Sequence, residues 1–187
     1  FIRDNPDPFH KTESLANIAL LWPQRAGNYY SGSSVPLTDF TKEMKTVRAG
    51  NLSEEFYGLY DGLSRGHFPF DVIDEEALKN DLYKFELIIL PNAACITAEE
   101  GDKIREFVSR GGNVISTFET SRYDGNGRFR EMPLLGDLFG IEKMGDIFGP
   151  LNWDYITLAD KTHLSFRDIS DSNIYAPAYG LKIKTKT

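Results

Sequence analysis

Two short runs constrain this chain more than any other feature. Asn17–Ile18–Ala19–Leu20–Leu21–Trp22 and Phe85–Glu86–Leu87–Ile88–Ile89–Leu90 are apolar almost without alternation, and each is stopped by a proline, Pro23 and Pro91. A strand with one wet face alternates polar and apolar residues, so unalternated runs belong to strands buried on both faces of a parallel sheet. Proline ends them because it cannot donate to the ladder. Such strands need helical crossovers between them, and the chain supplies these. Ser53 can cap a helix whose Glu54 and Glu55 meet the positive end of the dipole and whose Phe56, Leu59, Tyr60 and Leu63 form one apolar stripe, with Gly66 as the expected left-handed terminator. Thr97–Ala98–Glu99–Glu100 is a capping box; Ile104, Phe107 and Val108 follow as a buried face and Gly111–Gly112 as the end.

The remaining segments fit the same alternation. Phe70–Ile73 and Asn113–Phe118 read as strands, Glu75–Asn80 and Thr38–Arg48 as helices, Gln24–Pro36 as a long loop, and Asp124–Gly127 as a tight turn. A short helix through Leu134, Leu135, Leu138 and Phe139 is expected to close at Gly140. The class is therefore α/β, a flavodoxin-like doubly wound parallel sheet, since an eight-stranded barrel needs about 250 residues. Beyond Gly149–Pro150 the pattern changes: Trp153–Leu158 and Tyr179–Thr187 alternate like strands and form a C-terminal β extension. We expect a linker over residues 1–15, the α/β domain over 16–158, and the extension, or the opening of a further section, over 159–187. The linker character of Phe1–Pro8 suggests a segment of a longer polypeptide.

With 41% apolar residues the chain can bury a core without staples, and its single cysteine excludes an internal disulfide and any multi-cysteine metal site. The cysteine leaves the compartment open, with the cytoplasm as the leading expectation. Acidic residues outnumber basic ones 28 to 21, for a net charge of −7, and the only basic cluster is Lys182, Lys184 and Lys186. Neither a nucleic-acid nor a membrane partner is expected, because such a surface repels phosphate backbones and anionic lipid and no apolar run approaches the ~20 residues of a span.

Ligands of open parallel sheets sit outside the carboxyl ends of the strands, where the strand order reverses. That rule selects Gln24, Arg25, Tyr29 and Tyr30 after the first strand, Asn92 and Cys95 after Leu90, and Glu119, Thr120, Ser121, Arg122, Tyr123 and Asp124 after Phe118. Cys95 lies just before a capped helix, where the dipole favours a reactive thiolate, but Ala93 and Thr97 stand where a nucleophile elbow has glycines, which favours a buried structural thiol. Glu119 reads as an acid or base, or as a partner for Arg25, against a structural ion pair; with Asp124 it could form the carboxylate pair of a glycosidase, although nothing in the sequence fixes their spacing. Trp22, Tyr29, Tyr30, Tyr123 and Trp153 could stack on sugars or fill the core. No metal site or cofactor is expected: His10, His67 and His163 have no mates, the Asp124–Phe129 loop departs from the calcium pattern, and no glycine-rich cradle follows a strand.

Four blocks in order, Trp22–Tyr30, Leu90–Thr97, Gly111–Val114 and Phe118–Asp124, resemble the class I glutamine-amidotransferase-like domain of glycoside hydrolases, a relative of the trimerisation domain of family 42 β-galactosidases. The resemblance implies a catalytic barrel upstream in the same polypeptide, a homo-oligomer, and a noncatalytic role in assembly or in completing a carbohydrate site. Its amidotransferase members carry a glycine-flanked cysteine and a His-x-Glu pair, whereas here His163 is followed by Leu164 and Ser165. The rival readings are a stand-alone cysteine hydrolase using Cys95, or a small-ligand or sugar-binding module using Arg25, Tyr29 and Glu119.

Overall fold

The computed structural model describes residues 12–30, 52–80, 82–149, 151, 154–158, 161–169, 173–176 and 179–186. The expected Thr38–Arg48 helix, most of the N-terminal linker and Trp153 lie outside them. The unalternated runs become β1 (Ile18–Leu21) and β3 (Leu87–Leu90), joined by β2 (Phe70–Ile73) and β4 (Asn113–Ser116) in one parallel sheet of order β2-β1-β3-β4. Ala19, Leu20 and Leu21 have no exposed surface, as expected of the central strands.

Each face of the sheet has its own core. On one, Ala19, Leu21, Ile88 and Leu90 pack with Ile104 and Phe107 of α3 (Ala98–Ser109) and with Leu78 of a short 3-10 turn, Ala77–Lys79. On the other, Leu20 and Ile89 pack with Phe56, Leu59 and Leu63 of α2 (Leu52–Arg65), and the Trp22 ring meets Phe56 edge-on at 4.7 Å. Each fully buried leucine or isoleucine contributes about 1.5–3 kcal/mol by leaving water.

Several local expectations need correction. A short helix, α1 (Gln24–Tyr29), occupies the start of the segment read as a loop; its tertiary partners outweigh the poor helix propensity of Gly27 and Asn28. α2 ends in paired bonds from Phe68 N–H to Leu63 O and from His67 N–H to Ser64 O, and the left-handed residue is His67 (φ 56°), not Gly66. A Cβ at Gly66 would lie 2.7 Å from the Phe68 ring, so packing accounts for that glycine. Residues 134–140 form successive turns instead of a helix, ending at Gly140 (φ 62°), with Asp137 and the Leu134 carbonyl held by Arg105 of α3.

The antiparallel part begins earlier than expected. β5 (Ile141–Phe148) pairs with β8 (Gly180–Thr185), and β6 (Tyr155–Thr157) pairs with β7 (Asn173–Tyr175). β5 escaped the sequence reading because its register shifts twice, between Ile141 and Lys143 and between Met144 and Ile147, which erases period-two alternation.

Candidate functional site

In the order β2-β1-β3-β4 the reversal lies between the carboxyl ends of β1 and β3, and the chain packs that crevice with its own side chains. Pro23 ends β1 and α1 turns directly across the opening, its Arg25 N–H donating to Glu75 Oε1 at 2.6 Å. Ala26 and Tyr30 then pack on Ala94 and Cys95, with Tyr123 against them. The three loops named from the sequence thus meet: Ser121 N–H donates to the Ala93 carbonyl, Tyr123 N–H to Ala94 O, and Ile96 N–H to Tyr123 O.

Arg25 does not reach Glu119, as one reading supposed. Its guanidinium grips both oxygens of Glu100, at 2.7 and 2.8 Å. Glu100 is fully buried and is also the back-reaching member of the capping box, accepting from Thr97 N–H at 2.8 Å. Cys95 is 1% exposed, packed with Ala26, Tyr30 and Ala94, and its carbonyl accepts from Arg25 Nη1 at 3.5 Å. Burial pushes its thiol up to about 11 despite the neighbouring Arg25, so the helix end does not activate it.

Glu119 is bound by two donors: the Tyr30 hydroxyl at 2.6 Å and Arg122 Nη1 at 2.7 Å. Burial first, then the Glu119 carboxylate, pushes the Tyr30 hydroxyl far above its ordinary value, so it stays a donor. Asp124 bonds the backbone N–H groups of Arg128 and Asn126, which hold its carboxyl below the usual range and commit it to its turn. Ser121 (φ 62°) is fully buried, its Oγ accepting from Leu135 N–H. Gln24 and Tyr29 remain solvent-facing, Tyr29 at 56% exposure. Asn92 differs from all of these: it is fully buried at φ 40°, and its carboxamide lies beside the Tyr30 hydroxyl without a hydrogen bond of full geometry.

Four residues that sequence reasoning passed over complete the rim. Glu75 and Glu100 hold Arg25, as above, and Arg130 collects the carbonyls of Ile96, Ser121 and Tyr123. Glu55 of α2 accepts from the Thr117 hydroxyl, which in turn accepts from Asn92 N–H at 2.9 Å. Burial raises the Glu55 carboxyl above its ordinary value, offset in part by that hydroxyl. Beside it a cavity of about 590 Å³ opens between α2, the end of β4 and the β5–β8 pair. Charged residues spread along the chain leave no sequence signal for such pairings; only the Thr97–Glu100 spacing is a local code.

Chemically, the rim binds its own acids and bases to one another and buries its thiol. Among the described residues no group of three or more His, Cys, Asp or Glu could hold a metal ion, and no helix is long and apolar enough to cross a membrane.

Residues 37–172 match the β-galactosidase trimerisation domain family. Over 86 residues, 46% of this chain and 11% of the relative, the sequence is 31% identical to an exo-β-D-glucosaminidase of Thermococcus kodakarensis. Among solved structures, a β-galactosidase from Bacillus circulans sp. alkalophilus aligns with a TM-score of 0.62 at 21% identity, covering 80% of this chain and 20% of that one. A catalytic mutant of the GH42 β-galactosidase Gan42B from G. stearothermophilus aligns at 0.66 and 17%, covering 91% and 22%. The α-L-fucosidase isoenzyme 2 of Paenibacillus thiaminolyticus aligns at 0.58 and 18%, covering 98% and 24%. The chain therefore spans about a tenth of the curated relative and about a fifth to a quarter of these structures.

Proposed function

Because the chain belongs to the β-galactosidase trimerisation domain family, we propose that it is a noncatalytic accessory domain that joins copies of a larger glycoside hydrolase, with the catalytic barrel upstream in the same polypeptide. Family membership carries the assembly role. The noncatalytic half rests on one observation, the closed rim, in which Cys95 is buried, Arg25 is paired with Glu100 and Glu119 is held by Tyr30 and Arg122. The strand order supports reading the sheet as flavodoxin-like; that the domain is amidotransferase-like, with the amidotransferase chemistry lost, rests on the sequence resemblance.

The test of the noncatalytic half is direct. Burial pushes the Cys95 thiol up to about 11, which leaves little thiolate at neutral pH. Iodoacetamide should therefore modify the folded chain far more slowly than the urea-unfolded chain, and glutamine and aryl glycosides should not be turned over. Fast alkylation of the folded protein, or turnover lost in Cys95→Ser, would refute the proposal.

A second reading, that the rim completes a carbohydrate site with Gln24, Arg25, Tyr29, Asn92, Glu119, Ser121 and Tyr123, is favoured by the buried Asn92 carboxamide, which meets only the Tyr30 hydroxyl and without full hydrogen-bond geometry. Calorimetry against a panel of monosaccharides tests it: saturable heat that disappears in Asn92→Asp supports it, and absence of heat at millimolar sugar rejects it.

A further inference from the structure

We propose that the cavity between α2, the end of β4 and the β5–β8 pair is a binding site for a small organic cation, an apolar body carrying one ammonium head that rests on Glu55. At about 590 Å³ the cavity lies inside the range of small-molecule sites and far above that of a packing defect. It opens at the carboxyl end of the edge strand β4, away from the switch point between β1 and β3. Its walls come from separate elements, with Leu59 from α2, Phe118 after β4, Phe139, Met144 from β5 and Leu181 from β8 supplying apolar surface.

The polar side of the lining sets the chemistry. Among the described residues of the lining, Glu55 and Tyr179 are the titratable ones. The Thr117 hydroxyl is oriented from behind by Asn92 N–H, so its proton goes to Glu55 Oε2. Among the described residues no donor reaches the other oxygen, Oε1, and no cation pairs with this carboxylate. A partly buried carboxylate without a countercharge is costly, which appears here as a raised pKa, and a cationic head removes that cost. A sugar is a poor match, because the described residues of the lining offer few polar groups for its many hydroxyls, and an anion is repelled by Glu55. Phe118, held at φ 49°, is strained backbone on the cavity wall, as ligand clamps often are.

The site adjoins the closed rim through Thr117 and Asn92 but lies outside its packed crevice, and it does not depend on the assembly role. The test is calorimetry on the 187-residue chain with three probes of equal length, n-hexylammonium, 1-hexanol and hexanoate, at pH 7. Hexylammonium should bind with 1:1 stoichiometry at least about tenfold more tightly than hexanol, and hexanoate should not bind. Glu55→Gln should reduce hexylammonium to the level of hexanol, and Leu181→Trp, which fills the cavity, should abolish both, with thermal melts confirming that each variant folds. Amide resonances of Thr117 and Phe118 should move with the first probe. Equal binding of amine and alcohol, a preference that survives Glu55→Gln, or resonance shifts elsewhere would overturn the assignment. Uptake seen only on dilution to monomers would assign the cavity to a second copy and overturn it equally.

Discussion

Glu100 serves two partners with one carboxylate: Oε2 accepts from Thr97 N–H and from Arg25, and Oε1 accepts from Arg25 alone. A buried pair of this kind adds little net stability, but removing one partner leaves an uncompensated charge. Arg25→Ala should therefore cost about 3–5 kcal/mol, read from the urea midpoint, whereas Glu100→Gln, which keeps an acceptor for the cap, should cost less. Glu55 gives a test with a defined sign. Its raised pKa means that the folded chain holds a proton the unfolded chain has already released, so its contribution to stability falls as pH climbs from about 4.3 through the folded value. Glu55→Gln should raise Tm at pH 7 and leave it unchanged at pH 3; the same shift at both values would contradict this. At this scale the sequence was legible where the code is local, as in Thr97–Glu100. It was silent where partners lie far apart, as with Arg25 and Glu100 or Tyr30 and Glu119, because nothing in one segment names the other.

Elements were legible to the extent that one period ran through them. β1 and β3 follow from unbroken apolar runs, and α3 from its cap and from Gly111 (φ 97°), the left-handed residue at its end. The same logic misplaced the end of α2, because its helix stop is built on His67. A left-handed conformation strains a residue with a Cβ and not glycine. His67→Gly should therefore stabilise the fold by about 0.5 kcal/mol in chemical denaturation; a loss of stability would mean that the imidazole makes a contact outweighing the strain. α1 shows the opposite error. Gly27, Asn28 and the tyrosines have the composition of a loop, yet the bond from Arg25 N–H to Glu75 and the packing of Tyr30 fix a helix there. β5 stayed hidden because two register shifts break its alternation.

Across the whole molecule a parallel sheet with its crevice filled is joined to antiparallel pairs at its C-terminal side. Closing the crevice removes the usual ligand position of such a sheet while keeping the rigid core, which suits a domain whose work is done at its outer surface. β6–β7 carries exposed Tyr155 and Tyr175, stacked at 5.0 Å, and such surface is costly in water unless another surface covers it. The alternation of strands and helices made the α/β class readable in advance, whereas the proposed assembly surface has no periodic signature. Assembly through this chain is the central proposal, and sedimentation equilibrium of the 187-residue chain tests it most directly. A single species at three times the monomer mass, persisting to micromolar concentration, is the expected result; a monomer throughout the concentration series would contradict it.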